Sequence, residues 1–277
     1  MDLKATTYAV ENRIATITLN RPHRLNAWTG RMHTEYRWCL EQAELDDDVR
    51  VVIVTGAGRG FCAGADSQAL EGHIEKGGYD SGIHEPVANP GYGVRPEFDT
   101  NFAFHFGLTK PVIAAINGPA AGVGLVLACF ADVRFAASGV KLTTAHGRLG
   151  LPAEFGLSWL LPRLIGLARA QELLLSSRVF LSDEAAEMGL VHRCLPPEDL
   201  MPAVCAYASG LAARIAPSSL RVTRQQVYTD LHRDVGSSVA ESEMLLNRLT
   251  RGDDYKEGVR ALLEKREPDW SKFPKFP

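Results

Sequence analysis

Along residues 6–20, TTYAVENRIATITLN, apolar and polar side chains alternate on either side of Glu11-Asn12, a pattern that predicts a β-hairpin. The period then changes. From about Arg31 to Leu45, Met32, Tyr36, Cys39, Leu40 and Ala43 recur at helical spacing, and the stretch ends in the polar run Asp46-Asp47-Asp48. VRVVIVT (49–55) and KPVIAAIN (110–117) are short, uninterrupted apolar runs, the signature of strands covered on both faces. An apolar helix is expected near VGLVLACFA (123–131) and a further strand at VRFAA (133–137). Between the two apolar runs, residues 71–100 are rich in glycine, proline and charge and read as a long surface loop or a mobile lid. Beyond about residue 157 the pattern turns helical. Ser182 is expected to N-cap the helix of SDEAAEMGL, and successive helices are expected over 198–215, 218–232, 236–250 and 253–266. Strands first and helices later, with no internal repeat, predict an α/β core followed by a helical C-terminal region.

Composition narrows the function classes. The 277 residues carry a net charge of −3 and are 45% hydrophobic and 23% charged, ordinary for a globular chain, with no basic excess pointing to nucleic acid. No apolar run approaches the ~18 residues of a membrane span, and the N-terminus has no apolar signal core, so no membrane partner and a cytoplasmic location are expected. Five widely spaced cysteines without a CxxC pair fit a reducing compartment rather than a disulfide framework. No histidine lies in a metal-binding motif, so neither a metal nor a separate cofactor is expected.

Two segments share one grammar of buried strand, glycine-rich turn and helix: VVIVTGAGRGFCAGAD (51–66) and VIAAINGPAAGVG (112–124). Neither fits GxGxxG, and GxxxxGK[ST] and GxSxG are both absent, which turns the reading away from nucleotide phosphates and from nucleophile-elbow hydrolysis. Each turn alone reads first as tight packing. Together, two such turns can each aim one backbone N–H at a single carbonyl oxygen and stabilise charge developing there.

RPHRLNAW, VVIVTGAGRGFCAGAD, KPVIAAINGPAAGVGL, ACFADVRFAA, LLPRLIG, EAAEMGLVHRC and DYKEGVRALLEKREP, in this order over about residues 8–268, resemble the enoyl-CoA hydratase/isomerase family, the crotonase superfamily. The resemblance implies a spiral of ββα units over residues 1–200 holding a CoA site. It also implies a helical oligomerisation region over 201–277, assembled as a homotrimer or a dimer of trimers. Its substrates would be acyl-CoA thioesters, with coenzyme A part of the substrate. Two oxyanion-hole donors carry over to the N–H groups of Ala65 and Val123, with Gly64 and Gly122 letting the backbone come close. Contacts to CoA carry over to Leu25, Ala27, Ala63 and Asp66, with Arg24 facing a phosphate, and to Leu262 and Lys265 from a neighbouring subunit. Asp66 has a second reading as the N-cap of the next helix.

Departures from the family pattern decide the reaction. Of the two positions where hydratases of the family carry glutamates, one holds Val126 and the other His146. Glu154 instead occupies the position where the family's isomerases carry their acid. A single carboxylate desolvated by Phe155, Leu157 and Trp159 can carry a proton from the α to the γ carbon, which is Δ3–Δ2 double-bond isomerisation. Hydration shared by Glu154 and His146 is the alternative, with His146 otherwise structural. Hydrolysis of a CoA thioester or β-diketone, and a non-catalytic CoA- or RNA-binding scaffold, complete the range. Cys62 reads as a small packed residue, and His84 and His105 border the variable loop.

Overall fold

The computed structural model describes residues 1–83 and 87–270. The alternating N-terminal segment forms β1 (Thr6–Glu11) and β2 (Ile14–Leu19), paired antiparallel through a turn in which Asn12 and Arg13 take positive φ. Helix α1 (Gly30–Leu45) starts where the Thr29 hydroxyl accepts a hydrogen bond from Met32 N, a side-chain cap for one of the unsatisfied donors of the first turn. Strand β3 (Val51–Gly56) is buried along its whole length and is followed by α2 (Ser67–Lys76), β4 (Val112–Ile116), β5 (Ala120–Ala121) and α3 (Val123–Phe130). Next come β6 (Val133–Ala137), β7 (Lys141–Thr143), α4 (Leu157–Ile165) and α5 (Leu167–Ser176). The remainder is β8 (Phe180–Leu181), α6 (Ser182–Glu187), β9 (Arg193–Leu195), α7 (Pro197–Arg214), α8 (Pro217–Asp230), α9 (Val235–Leu249) and α10 (Asp253–Glu264).

The main sheet runs β1-β2-β3-β4-β6-β9, parallel from β2 onward, and a small second sheet runs β5-β7-β8. Register places Thr55 opposite Ala115, so β3 and β4 end side by side and both glycine turns leave the same edge of the sheet. Carboxyl ends of parallel strands are where open α/β sheets bind ligands.

The helical C-terminal stretches appear within two residues of their expected limits, but the expected division at residue 200 falls inside α7, whose Leu200, Val204, Ala208 and Ala212 are buried in the core. Helix α8 is tied to the core by a buried cation: Arg224 Nε pairs with Asp132 Oδ2 at 2.9 Å while Nη2 donates to the His105 carbonyl at 2.6 Å.

Two expectations need correction. Residues 71–76 are the last turns of α2, and the rest of the supposed free loop is anchored where it is described. Phe98 is buried, and Arg37 donates to Ala88 O and Asn89 Oδ1, both at 2.6 Å, because a bulky ring and a guanidinium fork hold a chain that glycine and proline alone would leave loose. Ser182 is the first residue of α6 rather than its cap. Its hydroxyl instead donates to Ala137 O at 2.7 Å and accepts from Val140 N, so it secures the end of β6.

Candidate active site

The first glycine turn is held by two asparagines, one buried and one half-buried. Asn26, fully buried and at positive φ, accepts from Arg21 N and donates to Ala57 O at 3.0 Å and Gly60 O at 2.7 Å. Asn117, just past β4, donates to Gly56 O at 2.8 Å and Gly58 O at 2.9 Å, reaches Gly60 O at 3.4 Å, and accepts from Gly56 N. The Gly60 carbonyl is therefore the meeting point of the loops at 21–28, 56–66 and 117–124. Both asparagines replace missing ladder bonds where the sheet ends, as buried peptide groups require.

Beyond this hub the two turns lie against each other. Cys62 N donates to Pro119 O and Ala121 N donates to Cys62 O, a parallel bridge that sets 62–65 beside 119–123. Trp28 N donates to Gly64 O and Asp66 N to Trp28 O, so this ladder brackets Ala65 and leaves its own N–H turned away from Trp28. Val123 opens α3, where no intrahelical acceptor exists for its N–H. Neither amide meets an acceptor among the described residues. The close approach rests on glycine: Gly64 has φ 105° and Gly122 φ 47°, backbone that a β-branched residue avoids, while Val123 keeps negative φ inside the helix.

The candidate acids stand on 3-10 turns facing the second glycine turn. Glu154 Oε2 lies 3.6 Å from the point where a Gly122 side chain would begin, and the Thr144 carbonyl lies 4.0 Å from that same point. Burial pushes the Glu154 carboxyl above its ordinary pKa, and nearby His146 opposes the rise in part. His146 is buried and its Nδ1 has no hydrogen-bond partner among the described residues. Each acid has a neighbour in left-handed backbone, Ala145 (φ 60°) before His146 and Phe155 (φ 47°) after Glu154. Non-glycine residues held there carry of order 1–3 kcal/mol of strain, which persists where the surroundings over-determine the fold. Phe155 packs its ring 5.1 Å from Phe102, itself at φ 63°, and Phe102 lies 5.8 Å from Trp28. A chain of rings thus joins the acid turn to the strand that brackets Ala65. Trp159 turns elsewhere, stacking on His232.

The residues expected to touch CoA divide. Leu25, Ala27 and Ala63 come together, with Ala63 N donating to Leu25 O and Ala27 O accepting from Arg21. Arg24 is exposed beside them. Asp66 is buried and its carboxylate is occupied: Oδ1 caps α2 by accepting from Gln68 N, and Oδ2 pairs with Arg21 at 2.8 Å. Burial would raise its pKa, but Arg21 and the Gln68 N–H outweigh that and hold it low. The capping reading of its side chain is the one the structure shows. Lys265 ends α10 in left-handed backbone and is exposed, as is Leu262. The described bonds of α10 run to Ser218 of α8, and Trp270 just beyond it bonds Arg13 at the β1–β2 turn, the end of β2 away from the glycine turns. This chain does not bring Lys265 to its own glycine turns.

Other reactive side chains are quiet. Burial pushes the Cys62 thiol up to about 12, which removes it as a nucleophile near neutral pH. His105 is enclosed between Tyr36 Oη at 2.8 Å and Phe102 O at 2.6 Å, and burial holds it down at about 3, so it is a neutral core residue. His84 lies outside the described residues. The two asparagines went unnoticed in the sequence; the signal available was the place of Asn117 directly after the apolar run of β4, whereas Asn26 lies in the loop before α1 and had none.

Comparison with known proteins agrees with this geometry. A family model described as enoyl-CoA hydratase/isomerase matches residues 9–273. The 1,2-epoxyphenylacetyl-CoA isomerase of Escherichia coli (strain K12) is 35% identical over 95% of this chain and 96% of its own length. The probable enoyl-CoA hydratase EchA12 of Mycobacterium tuberculosis (strain H37Rv) is 38% identical over 92% of this chain and 88% of its own. Among solved structures, a probable enoyl-CoA hydratase/isomerase from Mycobacterium abscessus superposes with a TM-score of 0.83 at 30% identity, covering 96% of this chain and 98% of that one. With the mixed α/β fold and the paired glycine turns, these matches place the chain in the enoyl-CoA hydratase/isomerase family, as an enzyme of the lyase or isomerase kind.

Proposed function

We propose that this enzyme isomerises the double bond of 3-enoyl-CoA thioesters, with Glu154 as its one acid and base. The thioester oxygen accepts hydrogen bonds from Ala65 N–H and Val123 N–H. The Glu154 carboxylate takes a proton from C2, and the electron pair moves onto the thioester oxygen as a dienolate. The same carboxyl returns the proton to C4, the double bond shifts to C2–C3, and Glu154 is ionised again. No water enters the balance. The observation that carries this reading is the Glu154 carboxylate beside Gly122, with no second carboxylate there among the described residues and Val126 buried in apolar company where a second acid would stand. A carboxyl of raised pKa suits both halves of the transfer.

Hydration by Glu154 and His146 is the second reading. It is favoured by the unpartnered, buried Nδ1 of His146 and by the hydratase names of several relatives. One assay separates the two. Isomerisation raises the conjugated thioester absorbance from 3-enoyl-CoA, whereas hydration lowers it from 2-enoyl-CoA. Loss of signal only from the second substrate overturns the isomerase reading.

Assembly belongs to the same proposal. α9 leaves Val235, Val239 and Leu246 largely exposed, apolar surface of the kind that a homotrimer or dimer of trimers covers. Such an assembly would also carry Lys265 to a neighbour's CoA.

A further inference from the structure

A cavity of about 870 Å³ lies at the opposite end of the sheet from the glycine turns. Its floor is the entry to β3 and β4, with Arg50 and Lys110; its roof is α8, α9 and the start of α10, with Arg221, Arg248 and Arg251. Leu220, Met244 and Leu249 supply an apolar wall.

The charges there are unequal in how they are satisfied. Glu44 accepts from Thr109 N, Thr109 Oγ1 and Lys110 N, and Asp254 accepts from Ser218 N and its hydroxyl, so both carboxylates already hold two or more donors. Asp253 pairs with Lys256 at the surface. The fourth acid of the lining, Asp47, lies near Arg50 and supports its charge. The floor cations, by contrast, bond to neutral carbonyls: Lys110 Nζ to Ala43 and Asp46, Arg50 Nη1 to Asp47 and Val49. Arg50 is only 6% exposed, and its Nε–H has no partner among the described residues. Burial and then Arg13 hold its pKa below the usual arginine range, despite the nearby acids. A buried guanidinium donor without an acceptor is costly, and a planar fork of donors matches the oxygens of a phosphate or carboxylate.

We propose that this cavity binds a small organic anion, a phosphate or carboxylate head received by Arg50 and Arg251 with a short apolar body against Leu220, Met244 and Leu249. The site is separate from the acyl-CoA site and is closed by no residue of it.

The test is calorimetric titration of the full-length protein with hexyl phosphate, hexanoate and inorganic phosphate, each with and without saturating CoA. Expected is one site per chain for hexyl phosphate or hexanoate, tighter than about 1 mM, unchanged by CoA, and at least about 10-fold tighter than inorganic phosphate because the body adds apolar contact. The order of the two heads separates a phosphate from a carboxylate ligand. Arg251→Gln, on the exposed roof, should weaken binding about 10-fold, and Arg50→Met more. Should Arg50→Met fail to fold, Arg251→Gln together with Leu249→Glu, which places a negative charge in the apolar wall, decides the matter. Binding that CoA displaces, that neither variant weakens, or that is absent at 10 mM overturns the proposal. A cavity filled by a second copy of the chain would give that last result.

Discussion

The two sides of the candidate site are built on opposite principles. On the amide side, main-chain groups are fixed by other main-chain groups and by the two asparagines, and side chains matter mostly by being small. On the acid side, two titratable side chains stand on short turns kept in place by strained backbone and ring packing. One side can change its side chains freely and keep its task. The other changes its chemistry with a single residue. On the proposed reading the amides define what is held, and the acids define what is done to it.

The strongest way to break this contrast is Glu154→Gln. It should lower kcat by about 10²–10⁴-fold, the range for loss of a general acid–base, while acyl-CoA affinity measured calorimetrically stays within a few-fold. Undiminished turnover would remove Glu154 from its role. On the amide side the disruptive change is Gly124→Ala, whose new methyl group would lie 2.1 Å from Cys62 O. Backbone on both sides must shift, so about 1–3 kcal/mol of stability should be lost in denaturant unfolding, with acyl-CoA binding falling in parallel.

Asn117→Ala sharpens the comparison, because it loosens the hub without entering the reaction. Leaving three carbonyls short of a donor should cost about 1–3 kcal/mol and lower kcat more than it raises KM. His146→Gln should act on pH dependence. With His146 opposing the upward shift of Glu154, its removal should move the acid limb of the kcat/KM profile to higher pH and leave the glycine turns intact.

The smallest effect concerns stability alone. Folding raises the Glu154 pKa, so the folded chain holds that proton more tightly than the unfolded one. The group then favours folding below the unfolded value of about 4.3, and that contribution is lost as pH rises through the folded value. Glu154→Gln should thus raise Tm by ~1–3 °C at neutral pH, with the gain shrinking toward pH 4 in calorimetric scans. A gain that grows on acidification would contradict the raised pKa.

What could be read from the residues follows the same division. Buried strands declare themselves because β3 and β4 are apolar on both faces, and glycine turns at their ends are visible as composition. Helix α1 appeared within a residue of its start because its apolar stripe is regular. The assignment of the two donors to Ala65 and Val123 rests on resemblance, since backbone donors travel with the turn. Left-handed backbone at Phe102, Ala145 and Phe155 had no signal, because tertiary packing overrides the local preference of ordinary residues. The 71–100 segment misled for a related reason. Its glycines and prolines describe only local freedom, whereas Arg37 from α1 and the burial of the segment's own Phe98 impose order through tertiary contact. Asp66 had two possible uses, and only the position of Arg21 selects between them.

The shared carbonyl of Gly60 has a practical consequence for anyone remodelling this protein. Because three loops hang from one oxygen, a library that varies any of them changes the aim of both amides at once, and improvements found loop by loop will not combine additively. The productive handles for new selectivity are instead positions 126, 146 and 154, where a side chain can be exchanged while the suspension stays untouched.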